Sequence, residues 1–384
     1  MQVRTARRIE DVPPEEWNRL QGTSNPFLRH EFLAALERHG AATPANGWQP
    51  LHLLLEDDAG ILLGAAPAYL KGNSWGEFVF DWSWASAYQR AGMAYYPKLL
   101  LAVPYTPATG PRVLTAEAME ESTVCRHLAA AAAELCRHHE WSGAHCLFPL
   151  PAQGETLRRD GWLRRTGCQF HWRNQGYASF DDFLGTLGAR KRKNIRRERR
   201  LAREAGLSFQ VVSGDQVTEA DWLTFHAFYA RTFEAHGNLP VLSPAFFREI
   251  GASLAESVQM VQARVAGRLT GAALLLRSRD TLYGRYWGCE QERPGMHFET
   301  CYYQGIDYCI RQGLEWFEPG AQGEHKVARG FLPRRTCSVH WIADERFSAA
   351  IAEFLERETP MIHSYMLETR GHSPYKDGCG PDVD

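Results

Sequence analysis

The sequence TLYGRYWGCEQERPGMHFETCYYQGIDYCIRQGLEWFEPGAQGEHKVARGFLPRR, at residues 281–335, contains two strands separated by one helix. TLYGRYWGC has the alternation of a strand, and LEWFE is a short apolar strand that ends at a glycine-containing turn. Between them, HFETCYYQGIDYCIRQG has the apolar spacing of a helix. A strand, a long helix and a returning strand in this order are typical of an α/β protein.

The same order of elements is predicted in both halves of the chain. Strands near residues 258–265 and 270–277 precede this stretch in the second half. The first half has a similar order about 200 residues earlier: strands at residues 51–56, 61–70 and 97–103, a helix at 116–140 and a strand at 144–150. We therefore predict an α/β fold with mixed sheets flanked by helices, in an N-terminal domain at residues 1–172 and a C-terminal domain at 173–384. The alternative is that the two halves share this order of elements by chance, because the order is common in α/β proteins.

The composition favours a folded protein in the cytoplasm. Hydrophobic residues make up 44% of the 384 residues and charged residues 23%, which is enough for a substantial core. The apolar runs are far shorter than the roughly 20 residues that cross a bilayer, and the N-terminus lacks the apolar segment of a secretory signal. We expect no membrane span. Nine cysteines without a CxxC pair indicate reduced thiols.

The polar turn that follows LEWFE is the first candidate for chemistry. Gly320 and Gly323 frame the turn, and Glu324, His325 and Lys326 follow directly. Loops beyond the carboxyl ends of strands are where α/β sheets bind ligands. Glu324 or His325 can accept a proton from an attacking amine, which makes these three residues the predicted catalytic group. The alternative is a solvated turn without a ligand.

Predicted substrate-binding residues lie in the same turn and in the strand at residues 281–289. Lys326 and Arg329 can hold a phosphate or carboxylate by charge-assisted hydrogen bonds. In the strand, alternation places Tyr283, Arg285 and Trp287 on one face, where an arginine between two aromatic rings can bind an anionic or flat group. A buried arginine paired with a structural carboxylate explains the same pattern. The predicted substrate-binding residues are Tyr283, Arg285, Trp287, Gln322 and Arg329.

A basic run, RKRKNIRRERRLAR, occupies residues 190–203. It contains nine Lys or Arg and a single Glu, and its predicted helix has only Ile195 and Leu201 as apolar anchors. Such a helix can bind a phosphate-rich donor such as a tRNA or a nucleotide sugar. A merely solvated charged helix remains the alternative. The predicted donor-binding residues are Arg190, Lys191, Lys193, Arg196 and Arg197.

Several common motifs are absent or incomplete. Residues 72–76, GNSWG, match the GxSxG pattern, but the helix that a hydrolase nucleophile elbow requires does not follow. No GxxxxGK[ST] or GxGxxG fingerprint occurs, which disfavours nucleotide hydrolysis and dinucleotide redox chemistry. His138, His139, His145 and Cys146 match no standard zinc spacing, so we expect no metal site.

The end of the chain has two predicted parts. RFSAAIAEFLERETPMIHSYMLE, at residues 346–368, has the apolar spacing of an amphipathic helix. The final residues, 371–384, are expected to fray.

Long stretches of the chain resemble a bacterial family of predicted N-acyltransferases, often labelled peptidoglycan biosynthesis proteins, in the Fem-like branch of the GNAT superfamily. The resemblance implies two tandem GNAT-like domains and transfer of an acyl or aminoacyl group to an amine. Such enzymes align two reactants and stabilise an oxyanion, so no covalent nucleophile is needed. The matching stretches are residues 76–112, 168–200, 281–314 and 318–344.

One departure from the wider superfamily concerns the donor. Acetyl-CoA-dependent GNAT enzymes carry a Q/R-x-x-G-x-G/A turn at a helix N-terminus, where backbone amides hold the pyrophosphate. The corresponding residues here are CEQERPGMHFE, which contain one glycine, Gly295. The resemblance therefore leaves aminoacyl-tRNA or acyl-CoA as the co-substrate, with no certain cofactor, and a small molecule or cell-wall precursor as the amine acceptor. Alternatives are a non-catalytic RNA- or precursor-binding module and a CoA-dependent small-molecule N-acetyltransferase.

Overall fold

The structure, a computed structural model, describes residues 1–321 and 323–381, which form two compact units. Unit 1 contains Met1–Gly167 and Arg335–Ser364, and unit 2 contains Cys168–Arg334 and the chain from Tyr365 onward. The chain therefore passes from one unit to the other three times. The division into domains at residues 172 and 173 stays a prediction.

Unit 1 has mostly antiparallel strands in two groups. One sheet has the order β1-β3-β4-β7. In the second group β2 pairs with β5, β5 pairs with β6, and β6 runs parallel to β8. The strands are β1 (Gln2–Ala6), β2 (Trp48–Pro50), β3 (His52–Glu56), β4 (Leu62–Ala66), β5 (Ala68–Lys71), β6 (Lys98–Leu101), β7 (Leu114–Thr115) and β8 (Gly143–Leu147).

The helices of unit 1 cover a core of small and branched side chains. The alanine-rich α4 buries Val124, Leu128 and Ala132, which recur at helical spacing and pack against Leu53 and Leu55 of β3. The helices are α1 (Pro14–Asn18), α2 (His30–Arg38), α3 (Trp82–Arg90), α4 (Glu121–His138) and α5 (Pro151–Arg159).

In unit 2 the strands form antiparallel neighbours except at one place. Their order is β10-β11-β12-β13-β14-β9, and of the pairs in this order only β13 and β14 run parallel in the part of the unit that the structure describes. Two strands, β9 and β15, contain residues of both units. The strands are β9 (Leu163–Arg173), β10 (Leu207–Ser213), β11 (Val258–Val265), β12 (Arg268–Arg277), β13 (Thr281–Cys289), β14 (Trp316–Glu318) and β15 (Leu332–Ile342).

The helices of unit 2 include one continuous helical run from Met296 to Gln312. Its middle, Glu299–Tyr303, has π-helical hydrogen bonding, and this run packs with β13 and β14 into a core rich in aromatic residues. The helices are α6 (Phe180–Thr186), α7 (Ala189–Glu204), α8 (Glu219–Ala235), α9 (Pro244–Ser253), α10 (Met296–Phe298) and α11 (Gln304–Gln312), followed by α12 (Glu345–Gly371), which begins in unit 1 and ends in unit 2.

The predicted class, α/β with mixed sheets flanked by helices, is confirmed, and most elements lie where the sequence places them. The strand predicted at residues 61–70 is instead two strands, β4 and β5, because Pro67 separates them. In the C-terminal segment, Tyr375 is buried and its hydroxyl donates to the carbonyl of Gly330 at 2.8 Å. The prediction of a frayed end is therefore wrong at this residue. None of the helices that the structure describes is both long and apolar enough to cross a membrane.

Candidate active site

The candidate active site lies in unit 2, where β13 and β14 separate. Their parallel pairing covers only three positions and ends at Tyr283 and Glu318. Beyond this point β13 continues to Cys289, while the chain after β14 turns away. The turn passes close to β13, since a Cβ on Gly284 would lie 3.1 Å from Pro319. Gly320 and Gly323 then adopt φ of +98° and +117°, a left-handed backbone that suits glycine.

After this turn the chain forms one 3₁₀ segment, Glu324–Arg329, which carries the predicted catalytic residues. Its Lys326 is 2% exposed, and Nζ donates to the carbonyl of Gly320 at 2.7 Å. No carboxylate in the described part of the chain pairs with it. Burial therefore lowers the pKa of Lys326 to about 8. The predicted residue Gln322 lies outside the described residues.

His325, next to this lysine, is exposed and lies among aromatic side chains. Its Nε2 is 2.8 Å from the hydroxyl of Tyr302, and its ring centroid is 6.1 Å from that of Phe298. Partial desolvation by the neighbouring side chains, together with the cations Lys326 and Arg329, lowers the pKa of His325. The imidazole is therefore predominantly neutral near pH 7. Glu324 points elsewhere and accepts a hydrogen bond from Tyr365 at 2.8 Å.

Arg329 joins the segment to α7. One guanidinium nitrogen donates to Glu198 at 2.8 Å, another donates to the carbonyl of His325 at 2.8 Å, and its carbon lies 3.3 Å from the ring centre of Phe298. Glu198 also accepts a hydrogen bond from the hydroxyl of Tyr303. Three contacts thus fix the guanidinium of Arg329. They fit a role in positioning the 3₁₀ segment, and they also fit the predicted role in binding an anion.

The predicted strand residues divide between two environments. Trp287 lies with its ring 5.5 Å from His297, which in turn lies 6.3 Å from His325. Arg285 instead stacks on Tyr286 at 5.3 Å, and Tyr286 packs on Tyr229 of α8. Trp287 is therefore near the 3₁₀ segment, whereas Arg285 lies over Tyr286, whose ring packs on α8.

A β-bulge explains this division. Leu275 pairs with Gly284 and Leu274 with Tyr286, so Arg285 is the extra residue of β13. After Gly284 the bulge places each side chain on the opposite face of the sheet from the one that simple alternation predicts. The prediction that Tyr283, Arg285 and Trp287 share a face is therefore wrong. Tyr283 itself is buried, and burial together with the nearby Glu318 raises the pKa of its hydroxyl.

The predicted donor-binding residues lie on α7. Ile195 and Ala202 are buried and attach the helix to the unit. Arg196 pairs with Asp181 at 3.1 Å, and no acidic partner contacts the other predicted donor-binding residues among the described residues. All five side chains are exposed or half-buried: Arg190, Lys191, Lys193, Arg196 and Arg197.

Gly295, the single glycine of the loop before α10, lies against α7. It has φ of +76°, and a Cβ there would lie 2.4 Å from the carbonyl oxygen of Glu198 and 3.0 Å from the amide of Ala202. The backbone of α7 therefore covers the start of the helical run at Met296.

Sequence reasoning missed several residues of this region. Glu198 is the single acidic residue of the basic run, three positions after the buried Ile195, and this spacing is a signal for an inward-facing carboxylate. Tyr302 and His297 gave no comparable signal, because their contacts depend on how the helical run packs. His171, whose Nδ1 is buried without a hydrogen bond and lies 3.9 Å from Glu318, gave no signal either, because this contact depends on the pairing of β9 with β14.

Known structures share the fold of the chain at low sequence identity. The C-terminal domain of a proposed lysylphosphatidylglycerol synthetase from Agrobacterium fabrum is 12% identical, with a TM-score of 0.51, over 89% of this chain and 96% of that chain. The L-PGS of Bacillus licheniformis is 8% identical, with a TM-score of 0.52, over 85% and 95%. A tandem GNAT protein from the clavulanic acid biosynthesis pathway is 11% identical, with a TM-score of 0.46, over 89% and 98%.

A family model gives the assignment. No curated protein matches the chain significantly. The model of FemAB-like proteins, described by peptidoglycan biosynthesis or recognition, matches residues 8–377. Because this match spans nearly the whole chain, the chain belongs to the FemAB-like family, as the resemblance of its sequence implies.

Proposed function

We propose that the chain transfers an acyl or aminoacyl group to the amine of a small molecule or cell-wall precursor, beside His325 and Lys326. The family description supports an acceptor of the cell-wall class. The observation that carries the proposal is an exposed, neutral histidine next to a buried lysine that donates only to Gly320 among the described residues. Both lie where β13 and β14 separate, which is where a substrate can approach the sheet.

The proton of the amine goes to His325 in this proposal. An amine attacks a carbonyl carbon only with a free lone pair, and a neutral imidazole nitrogen can accept the proton that it loses. The bond from the carbonyl carbon to the donor's oxygen or sulfur then breaks, and the imidazolium returns the proton to that leaving atom. Burial raises the pKa of Tyr302, so its hydroxyl stays protonated and remains a stable hydrogen-bond partner. When Nε2–H of His325 donates to Tyr302, Nδ1 keeps the lone pair that serves as the base.

Lys326 supplies positive charge for the oxygen of the tetrahedral intermediate. Its ammonium group has three donors, and Gly320 accepts one of them. A buried cation stabilises a developing oxyanion more than a solvated one does, because little water screens it. With a pKa of about 8, Lys326 is predominantly charged at pH 7.

The outer face of α7 binds the donor in this proposal. Arg190, Lys193 and Arg197 have no acidic partner in the described residues and can neutralise phosphates. Packing of α7 against Gly295 covers the helix start at which a GNAT enzyme would hold a pyrophosphate. Both observations favour a phosphate-rich donor such as aminoacyl-tRNA over acyl-CoA held in the usual turn.

Transfer assays with single donors test the proposal. Purified chain is incubated with radiolabelled aminoacyl-tRNA or acetyl-CoA and a lysine-containing cell-wall precursor peptide, and labelled peptide is measured. We expect transfer from aminoacyl-tRNA, and a loss of about 100-fold or more in His325→Gln. His236→Gln, which changes an exposed histidine of the same unit, is the matched control. Equal turnover of His325→Gln and the wild type would remove His325 from the reaction.

A non-catalytic RNA-binding module is a second candidate, because the outer face of α7 alone suffices for it. Binding of total tRNA at increasing salt distinguishes the two functions when it is combined with the transfer assay. We expect Lys193→Gln and Arg197→Gln each to lower the slope of log affinity against log salt by about 1. Arg248→Gln, an exposed arginine that pairs with Glu219, is the control. Salt-dependent binding without transfer favours the module, while a flat salt response contradicts a role of α7 in binding tRNA.

The CoA-dependent alternative has its own measurement. A ligand at about 100 times its dissociation constant stabilises a folded protein by about 2.7 kcal/mol. We expect acetyl-CoA to leave the melting temperature unchanged. A clear upward shift, with transfer of the acetyl group, would replace the aminoacyl-tRNA version.

A further inference from the structure

Unit 1 displays exposed aromatic side chains between the end of β5 and the first residue of α3. We define residues 72–82 as the aromatic loop. Trp75 is 63% exposed, Phe80 55%, Trp82 41% and Phe78 40%. The two tryptophan rings lie 5.3 Å apart in an edge-to-face arrangement. Large apolar side chains clustered at one exposed place are unusual and mark an interaction surface.

A buried network of hydrogen bonds around Lys98 fixes the loop on its inner side. Its Nζ donates to Ser74 Oγ at 3.1 Å, to Glu77 Oε2 at 2.8 Å and to Asp81. The hydroxyl of Tyr95 donates to Asp81 at 2.6 Å. Three side chains of the loop are therefore fixed inward, and the aromatic residues between them point outward.

Two backbone features also fix the shape of the loop. Lys71 Nζ donates to the carbonyl of Trp75 at 2.9 Å, and Arg165 donates to the carbonyl of Phe80 at 2.9 Å. Phe78 has φ of +59°, a left-handed conformation that costs about 1 kcal/mol for a residue with a Cβ. A strained residue that stays in place because its surroundings hold it is a common feature of binding sites.

The charge of the loop limits what can cover it. Only Glu77, Asp81 and Arg90 are charged between Gly72 and Met93. Both acids are buried against Lys98, so Arg90 carries the one outward charge of this segment. The loop itself thus presents tryptophan and phenylalanine outward and has no exposed carboxylate, which is the composition that a lipid headgroup region accepts.

We propose that the aromatic loop docks unit 1 on the surface of a lipid bilayer. The aromatic rings lie at the boundary between headgroups and acyl chains, where an indole has apolar contact and a partner for its N–H. The buried network keeps the acids away from the lipid. This inference is independent of the transfer reaction, since it uses no residue of unit 2.

Vesicle binding tests the proposal. The full chain is mixed with phosphatidylcholine vesicles or with vesicles that also contain phosphatidylglycerol, and the bound fraction is measured by sedimentation. We expect binding to both, with little effect of salt, because apolar contact rather than charge drives it. Trp75→Ser with Trp82→Ser should lower the vesicle affinity about tenfold or more, whereas Ile61→Ser, at an exposed residue outside the loop, should not change it.

A fold control, a replacement variant and a quenching measurement complete the test. Circular dichroism must show that the double variant is folded, and Phe80→Ser, which leaves the network intact, replaces it if it is not. Vesicles with brominated chains should quench tryptophan fluorescence of the wild type and less that of Trp82→Ser. Absence of wild-type binding to either vesicle would overturn the proposal. So would self-association of the wild type that the tryptophan substitutions abolish without any vesicle binding.

Discussion

Lys98 in unit 1 and Lys326 in unit 2 are equally removed from water but differ in their partners. Lys98 is 0% exposed and Lys326 2%. Lys98 contacts the carboxylates of Glu77 and Asp81, whereas Lys326 donates to the carbonyl of Gly320. Burial alone would lower the pKa of both lysines, but the two carboxylates raise that of Lys98, while that of Lys326 falls to about 8.

Lys71 shows that neighbouring carboxylates, and not the unit in which a lysine lies, decide whether burial lowers its pKa. It lies directly opposite Lys98 in the pairing of β5 with β6 and is also 0% exposed. Its Nζ donates to the carbonyl of Trp75 and lies 3.9 Å from the ring centre of Trp48. Burial lowers the pKa of Lys71 to about 7. A buried lysine with two carboxylates is a fixed structural charge, and one with a carbonyl stays close to losing its proton.

Removing Lys98 should have the largest effect. Lys98→Met leaves Glu77 and Asp81 buried without a cation, so we expect a loss of about 3–5 kcal/mol in the free energy of unfolding of unit 1. Denaturation by urea, followed by circular dichroism, measures it. Lys71→Met is the matched control, because it removes a buried lysine without stranding a carboxylate, and its loss should stay below about 1.5 kcal/mol.

A triple variant completes this comparison. Lys98→Met with Glu77→Gln and Asp81→Asn removes every charge of the network and should recover part of the lost stability. Equal losses for Lys98→Met and Lys71→Met would mean that the carboxylates do not depend on Lys98.

The second prediction concerns the pair that attaches the 3₁₀ segment to α7. Arg329→Met should lower the free energy of unfolding of unit 2 by about 2 kcal/mol, because it removes a charge-assisted hydrogen bond to Glu198. Glu198→Gln should cost a similar amount, and the double variant should cost less than the sum. The exposed pair of Arg268 with Glu290 is the control, where the coupling should stay below about 1 kcal/mol. Additive losses at Arg329 and Glu198 would show that the two side chains act separately.

The sequence predicted the fold well wherever periodicity and length agree. The helix at α4 and the strands from β11 to β13 follow from apolar spacing alone. The sequence did not predict which face Arg285 lies on. A bulge depends on the pairing of β12 with β13 and leaves no mark in the alternation of either strand. The sequence also failed at Tyr375, which is buried by a contact with Gly330, 45 residues away.

The candidate site was predictable in its position but not in its contacts. The glycines and ionisable residues after LEWFE mark the turn, since such residues rarely cluster without a reason in backbone geometry or chemistry. The hydrogen bond of His325 with Tyr302 and the pair of Arg329 with Glu198 join segments that are far apart in the sequence. Such long-range contacts follow from the packing of the helical run and α7, which no local pattern encodes.

Per pH unit, Lys326 gives the smallest of the expected effects, and it contrasts most sharply with Lys98. Its folded pKa of about 8 is below the value of about 10.4 for an unfolded lysine, so between these pH values the unfolded chain binds a proton that the folded chain does not. The free energy of unfolding therefore rises by up to about 1.4 kcal/mol per pH unit from this residue between pH 8 and 10. Below pH 8 its contribution is constant.

The substitution Lys326→Met should remove this rise, so that its stability curve is flatter than that of the wild type between pH 8 and 10. Lys98 has a raised folded pKa, so its contribution is complete below the unfolded value and is lost only at higher pH. The triple variant Lys98→Met with Glu77→Gln and Asp81→Asn, which leaves no carboxylate of the network to titrate, should accordingly run parallel to the wild type between pH 8 and 10. Urea midpoints at several pH values between 7 and 10 measure both slopes. Parallel curves for Lys326→Met and the wild type would mean that Lys326 keeps its proton when buried, as Lys98 does, and that an acceptor beyond Gly320 stabilises its charge.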